Sequence, residues 1–239
     1  MLRSTAPTLT LAVAAVASTL AAKCSAAGGM DAGPGSCSPN PCLPGATTST
    51  TGATTTTTTL AQTQCCVEAS VFFVNSCVTF AVQNLTMANC PAGAITNGGT
   101  LNVTNSMFSG NTSSSTGFGG AIDNHGPLNV TNSTFSGNSA STQGGAIVSI
   151  GTAMVVNSIL ANSSSGGNCS DSVTFAGTTF TGTITDGGHN IDDGTTCGFT
   201  GASFSNTNPL LDPTGLASNG GPTQTIALEA GSPAINAGD

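Results

Sequence analysis

Apolar and polar residues alternate in a block that is written three times along this chain. Gly93-Ala94-Ile95, Gly120-Ala121-Ile122 and Gly145-Ala146-Ile147 open the copies. Counting on from each isoleucine, Leu101, Leu128 and Ala153 lie at six residues and Val103, Val130 and Val155 at eight. Asn105, Asn132 and Asn157 follow at ten, and Phe108, Phe135 and Leu160 at thirteen. Leu101-Asn102-Val103-Thr104 and Leu128-Asn129-Val130-Thr131 alternate with period two, which predicts strands with one face in and one face out. The alternation also resumes over 177–184. Between blocks the register loosens: Asn111 to Gly120 is 9 residues, Asn138 to Gly145 is 7.

A fixed block joined by a variable turn predicts a solenoid, because one copy cannot bury its own apolar face and must stack on the next. Coils of 21–27 residues, rich in Gly, Asn, Ser and Thr, hold three short strands and three turns. The expected fold is all-β: a single-stranded parallel β-helix whose identical inward residues stack about 4.8 Å apart. A partial fourth copy lies upstream, where Val82, Asn84 and Met87 match Val103, Asn105 and Phe108. Asn89, Asn111, Asn138 and Asn162 close the blocks, where stacked amides or left-handed turns are expected.

The chain divides into three segments. Residues 1–27 read as a signal peptide: Arg3, then an apolar run from Leu9 to Leu20 too short to span a bilayer, then small residues. Cys24 leaves lipidation as an alternative to cleavage after Ser25-Ala26-Ala27. Residues 28–64 read as a Cys- and Thr-rich linker with little to bury. Residues 65–239 are the expected β-helix domain. A β-helix has an open sheet edge at each end. The stretches 65–90 and 206–239 are expected to close the two ends.

Cysteine usage fits export. Without Cys24, eight cysteines remain. Cys169 and Cys197 stand apart from the rest and are the expected disulfide. The connectivity of Cys37, Cys42, Cys65, Cys66, Cys77 and Cys90 stays open.

Charge excludes whole classes of partner. The two basic residues, Arg3 and Lys23, both belong to the leader. A body without Lys or Arg does not neutralise phosphates, so nucleic acid is excluded as a partner and anionic membranes are disfavoured. Charged residues make up 5% of the chain against 38% apolar, so solubility rests on Asn, Ser, Thr and Gly. No membrane span is expected in the mature chain, since no later segment is apolar enough.

Two groups of motifs resemble known families. Gly-Gly-Ala-Ile (119–122, 144–147) with Phe-Ser-Gly-Asn (108–111, 135–138) resembles the repeat of the polymorphic outer-membrane proteins. Gly188-His189-Asn190-Ile191-Asp192, Cys197-Gly198, Asn208-Pro209-Leu210-Leu211, Asn219 to Thr225 and Gly231 to Asp239 resemble the choice-of-anchor Q domain. The resemblance covers roughly residues 80–239. It implies a right-handed parallel β-helix, exported by bacteria and held at or released from the cell surface, with no established catalytic residues.

Candidate chemistry is sparse. The body's carboxylates are Glu68, Asp123, Asp171, Asp186, Asp192, Asp193, Asp212, Glu229 and Asp239, concentrated only in the Gly-rich stretch 186–193. A polysaccharide lyase needs a strong base, and a hydrolase needs paired carboxylates; Trp and Tyr sugar platforms are absent. Asp186, Asn190, Asp192 and Asp193 offer hard oxygens that suit calcium, but not at EF-hand spacing, and turn formation explains the same residues. His125 and His189 follow turn residues and have no nucleophile partner by motif. Ice binding would need Thr-x-Thr ranks, and the outward pairs are Asn102/Thr104 and Asn129/Thr131. The expected function is structural, adhesive or binding, at the cell surface or secreted, toward a glycan or protein ligand, without catalysis, cofactor or resident metal. The turns 112–119 and 139–144 would project from the display surface. The alternative is a carbohydrate-active β-helix using the Asp186–Asp193 region.

Overall fold

The computed structural model describes residues 63–64, 72–114 and 117–239. The segment expected to be a signal peptide, almost all of the expected linker, and Cys24, Cys37, Cys42, Cys65, Cys66 and Glu68 lie outside the described residues.

The described chain is a parallel β-solenoid of about four turns, with no helix among the described residues. Each coil visits three faces in order. Face 1 stacks β2 (Phe72–Val74), β5 (Ile95–Asn97), β9 (Ile122–Asn124), β13 (Ile147–Ser149) and β16 (Cys169–Ser170). Face 2 stacks β3 (Thr79–Gln83), β6 (Thr100–Thr104), β10 (Pro127–Thr131), β14 (Thr152–Val156) and β19 (Thr183–Asp186). Face 3 stacks β1 (Thr63–Gln64), β4 (Thr86–Ala88), β7 (Met107–Ser109), β11 (Thr134–Ser136), β15 (Ile159–Ala161) and β20 (Ile191–Asp192). β1 pairs in register with Met87 and Ala88, so the sheet begins two residues ahead of Cys65.

The block spacing sets the register. Leu101, Leu128 and Ala153 are paired partners, as are Val103, Val130 and Val155. Phe108, Phe135 and Leu160 form the inward column of face 3, with the two phenyl rings stacked 4.7 Å apart and 3° from parallel. Each such side chain, fully buried, contributes about 1.5–3 kcal/mol relative to exposure. The upstream copy pairs as the spacing predicts, Val82 with Val103 and Met87 with Phe108.

Asparagine does two jobs. Asn84, Asn105, Asn132 and Asn157 turn the corner between faces 2 and 3 with φ of 52°, 49°, 51° and 51°. Asn tolerates this left-handed conformation better than most residues do. Asn111 and Asn138 are instead buried and stacked: Asn111 Nδ2 donates to Asn138 Oδ1 at 2.9 Å, and Asn138 Oδ1 also receives the Asn111 N–H. Asn89 and Asn162 do not belong to that column. They align with Gly110 and Gly137, one residue earlier, and share their positive φ. A second inner ladder links Ser106, Ser133, Ser158 and Asn190, each side chain accepting the N–H of the coil before it.

The repeated double glycine has a steric cause. Gly119 and Gly144 are left-handed, at φ 57° and 65°. A Cβ on Gly120 would collide with the carbonyl of Gly145 in the next coil. The variable turns stack on each other. β8 (Thr112–Ser113) pairs in parallel with β12 (Ser139–Ala140), Phe118 bridges Gln143, and Thr142 Oγ1 donates to the Gly117 carbonyl. The coil thus inserts a short fourth sheet at these turns.

Two further departures mark the last coil. The alternation over 177–184 splits in two, because β17 (Ser172–Phe175) and β18 (Thr178–Thr181) form an antiparallel hairpin and the solenoid resumes at Thr183. The segment after Asn206 does not close the end of the stack. It runs back along face 3: the Gln224 carbonyl accepts from Thr86 Oγ1 in the first coil, and the Ala237 carbonyl lies 2.8 Å from His189 Nδ1 in the last. Thr86, Met107 and Ile191, which point outward on face 3, are buried.

Candidate functional site

Three inward columns turn from apolar to polar in the last coil, two of them within the acidic stretch 186–193. Val155 is followed in register by Asp186, and Leu160 by Asp192. Asn168 stands where Ala94, Ala121 and Ala146 stand in earlier coils, as its carbonyl shows by accepting from both Ala146 and Ile147. No complete coil follows: the closing loop 194–205 adds one parallel rung on face 3, with Phe204 beside Ile191 and Ser203 Oγ accepting the Asn190 N–H, and its remaining backbone N–H groups need acceptors, which carboxylates supply.

Asp186 Oδ1 receives Gly188 N, Asn190 Nδ2 and Ser203 Oγ, and its Oδ2 receives Thr200 N. Burial works to raise its pKa, but these four hydrogen bonds outweigh it and hold the carboxyl below the usual 3.8. Asp192, fully buried, receives Gly194 N and Asn168 Nδ2 on Oδ1 and Cys197 N on Oδ2. Asp193 receives Asn162 N on Oδ2 and Asn168 Nδ2 on Oδ1. The disulfide Cys169–Cys197 pins the closing loop to face 1, as the isolation of those cysteines predicts, and Phe199 is buried against the core. Cys77 and Cys90 are disulfide-bonded as well.

The four calcium candidates therefore separate. Asp186 and Asn190 bond each other at the corner of faces 2 and 3, whereas Asp192 and Asp193 meet on Asn168. Asn168 and the Leu160 carbonyl, which also accepts from Asn168 Nδ2, were not legible as members of this cluster. The spacing that places Asn168 in the alanine column is their one sequence signal. No group of three or more His, Cys, Asp or Glu side chains gathers as a metal cluster among the described residues.

The histidines are held locally. His125 Nε2 lies 3.0 Å from Asp123 Oδ1 on the rim of face 1. That hydrogen bond raises the His125 pKa above 6.5 against the opposing pull of burial. His189, at φ 57°, takes the corner position of Asn157 one coil on, and its ring meets the Ala237 carbonyl.

The outward face of face 2 is the broadest regular surface. One column reads Thr79, Thr100, Pro127, Thr152 and Thr183 across the strands. The next reads Ala81, Asn102, Asn129, Met154 and Thr185, and Asn129 Nδ2 donates to Asn102 Oδ1 at 2.9 Å. Gln83, Thr104, Thr131 and Val156 complete it. None of these side chains is charged. Beside it, the β17–β18 hairpin exposes Phe175 and Phe180, at 67% and 47%. A groove of about 400 Å³ runs between face 3 and the returning segment, where Gly110, Gly137 and Asn162 face Leu211 and Ile226.

No protein-family model, curated protein or solved structure matches this chain.

Proposed function

We propose that this chain is an exported β-solenoid, secreted or held at a bacterial cell surface, with a structural, adhesive or binding role and no catalysis. The uncharged lattice of Thr and Asn on face 2 carries the reading: it is a wide, rigid array of hydroxyl and amide groups suited to a glycan or protein surface. The carboxylates give further support. Asp192 is buried, and Asp186 and Asp192 spend both oxygens on the closing loop, so neither is free to act as acid or nucleophile toward a glycoside. The disulfides fit an oxidising compartment. The likeness of its GGAI and GHNID motifs to the polymorphic outer-membrane protein repeat and the choice-of-anchor Q domain points to the same setting.

The test incubates the chain with a panel of polysaccharides, with and without calcium, and follows polymer length by size-exclusion chromatography. Unchanged length, with retention on at least one glycan that Asn102→Lys with Asn129→Lys abolishes, is expected. Shortened polymer would overturn the reading. The carbohydrate-active alternative would then rest on Asp186, Asp192 and Asp193, whose replacement should stop turnover.

A further inference from the structure

Three oxygens converge on a single atom at the closed end of the solenoid. Asp192 Oδ1 and Asp193 Oδ1 each lie 2.6 Å from Asn168 Nδ2, and the Leu160 carbonyl lies 3.0 Å from it. An amide nitrogen carries two hydrogens, so one of the three acceptors is surplus, and two of the three belong to carboxylates. The other end of the same amide has the opposite fault. Asn168 Oδ1 is buried with no hydrogen-bond partner, and the residue is 3% exposed. Ser163 Oγ, the other buried side-chain oxygen without a partner among the described residues, belongs to the same coil.

We propose that Asp192, Asp193, the Leu160 carbonyl and the Asn168 side-chain oxygen form a calcium site. Turning the Asn168 amide over brings its unpartnered Oδ1 to the point where the other three oxygens meet. Which way an amide faces is decided by its surroundings: carboxylates alone draw the nitrogen in, and a cation among them draws the oxygen in. The resulting donors are two carboxylates, one amide oxygen and one backbone carbonyl, the hard oxygen set calcium takes in shells of about 6–8 ligands at roughly 2.3–2.6 Å. Asp193 is only partly buried, so water can complete the shell from that side. Magnesium, which needs a small octahedron and keeps its waters, suits such a set less well. The site excludes Asp186 and Asn190, which are bonded to each other. Because Asp192 also holds the Cys197 N–H, the cation would tighten the loop that closes the stack.

The test is calorimetric titration of the chelator-treated full chain with calcium chloride to about 10 mM, beyond the range of roughly 0.1–1 mM typical of extracellular calcium modules, with thermal melting alongside. One saturable site and a higher Tm are expected. Asp193→Asn should weaken calcium about tenfold or more, and Asn168→Asp, which adds a third carboxylate, should tighten it by a similar factor. No heat and no Tm shift in the wild-type chain would overturn the proposal. So would a calcium affinity that Asp193→Asn leaves unchanged, since that places the ion elsewhere. The wild-type titration and Asn168→Asp decide the matter even where Asp193→Asn fails to fold.

Discussion

Asp192 Oδ2 accepts the backbone N–H of Cys197 at 2.9 Å, from the inward column that Met87, Phe108, Phe135 and Leu160 fill one coil after another. Continuing that column with leucine would satisfy packing and fail hydrogen bonding. Asp192→Leu leaves Gly194 N and Cys197 N without this acceptor, while Asn168 Nδ2 keeps Asp193 Oδ1 and the Leu160 carbonyl. Each buried group so orphaned costs about 1–3 kcal/mol. The variant should therefore lose about 2 kcal/mol or more in a denaturant titration, and Asp192→Asn, which keeps one acceptor oxygen, should lose less. A Leu variant as stable as the wild type would show that the loop finds other acceptors.

The two asparagine ladders are predicted to differ in weight. Asn138 is fully buried, accepts from Asn111 N and Nδ2, and donates to the Phe108 carbonyl. Asn138→Ala should cost about 2–4 kcal/mol, the sum of a small cavity and orphaned partners. The Asn129–Asn102 rung lies in solvent on face 2, so Asn102→Ala should stay within about 0.5 kcal/mol. Equal effects in thermal melts would mean that burial does not govern these stacks.

Acid should weaken the closed end. Asp186 is held below 3.8 by hydrogen bonds from Thr200, Ser203, Gly188 and Asn190 that outweigh burial. A depressed folded-state pKa gives stability that is present above the unfolded value and lost as pH falls through the folded one. Wild-type Tm should therefore drop below about pH 4, and Asp186→Asn should lower Tm at pH 7 while flattening that acid limb. His125 works in the other direction. Its raised pKa adds stability below 6.5 that fades as pH rises through the folded value, and the half-exposed ring keeps the effect small. His125→Gln should remove that neutral-range slope, read as Tm between about pH 6 and 9.

The repeat was legible because it obeys a fixed count. Leu101 to Leu128 and Phe108 to Phe135 are both 27 residues apart and both pair in register. Legibility fails where one residue is inserted or a column changes chemistry. Asn89 resembles Asn111 by eye yet pairs one step earlier, because the first turn holds Cys90 where later coils hold asparagine, and Cys90 N donates to Asn111 Oδ1. Asp186 and Asp192 read as a candidate active loop because the alternation there is broken by Gly187-Gly188. Only the pairing to Val155 and Leu160 reveals them as the ends of apolar columns. Asn168 carries no motif at all, and its place beside two aspartates depends on a turn whose length varies from coil to coil. The path of residues 208–239 was beyond reach for another reason. A segment that pairs by scattered contacts, such as Ser232 Oγ to the Pro209 carbonyl, has no period to read.

That returning segment gives the last prediction. Face 3 presents Thr86, Met107, Thr134, Ile159 and Ile191 outward; Thr86, Met107 and Ile191 are buried, Thr86 bonds the Gln224 carbonyl, and Ile191 lines a groove with Leu228 and Ala234 as well as pairing with Phe204. Burying an apolar side chain is worth about 1.5–3 kcal/mol, so removing the cover of this strip should cost roughly that much or more. Removal of 208–239 leaves the inward columns and the Cys169–Cys197 bridge in place. The truncated chain should keep its β-rich circular dichroism while binding a hydrophobic dye and self-associating on gel filtration, because a wide apolar strip on a parallel sheet is now open. Shortening by the same number of residues within the linker 28–64 should do neither. A monodisperse, dye-silent truncation would mean that face 3 needs no cover, and that its outward Met and Ile are stabilised by their neighbours in the stack alone.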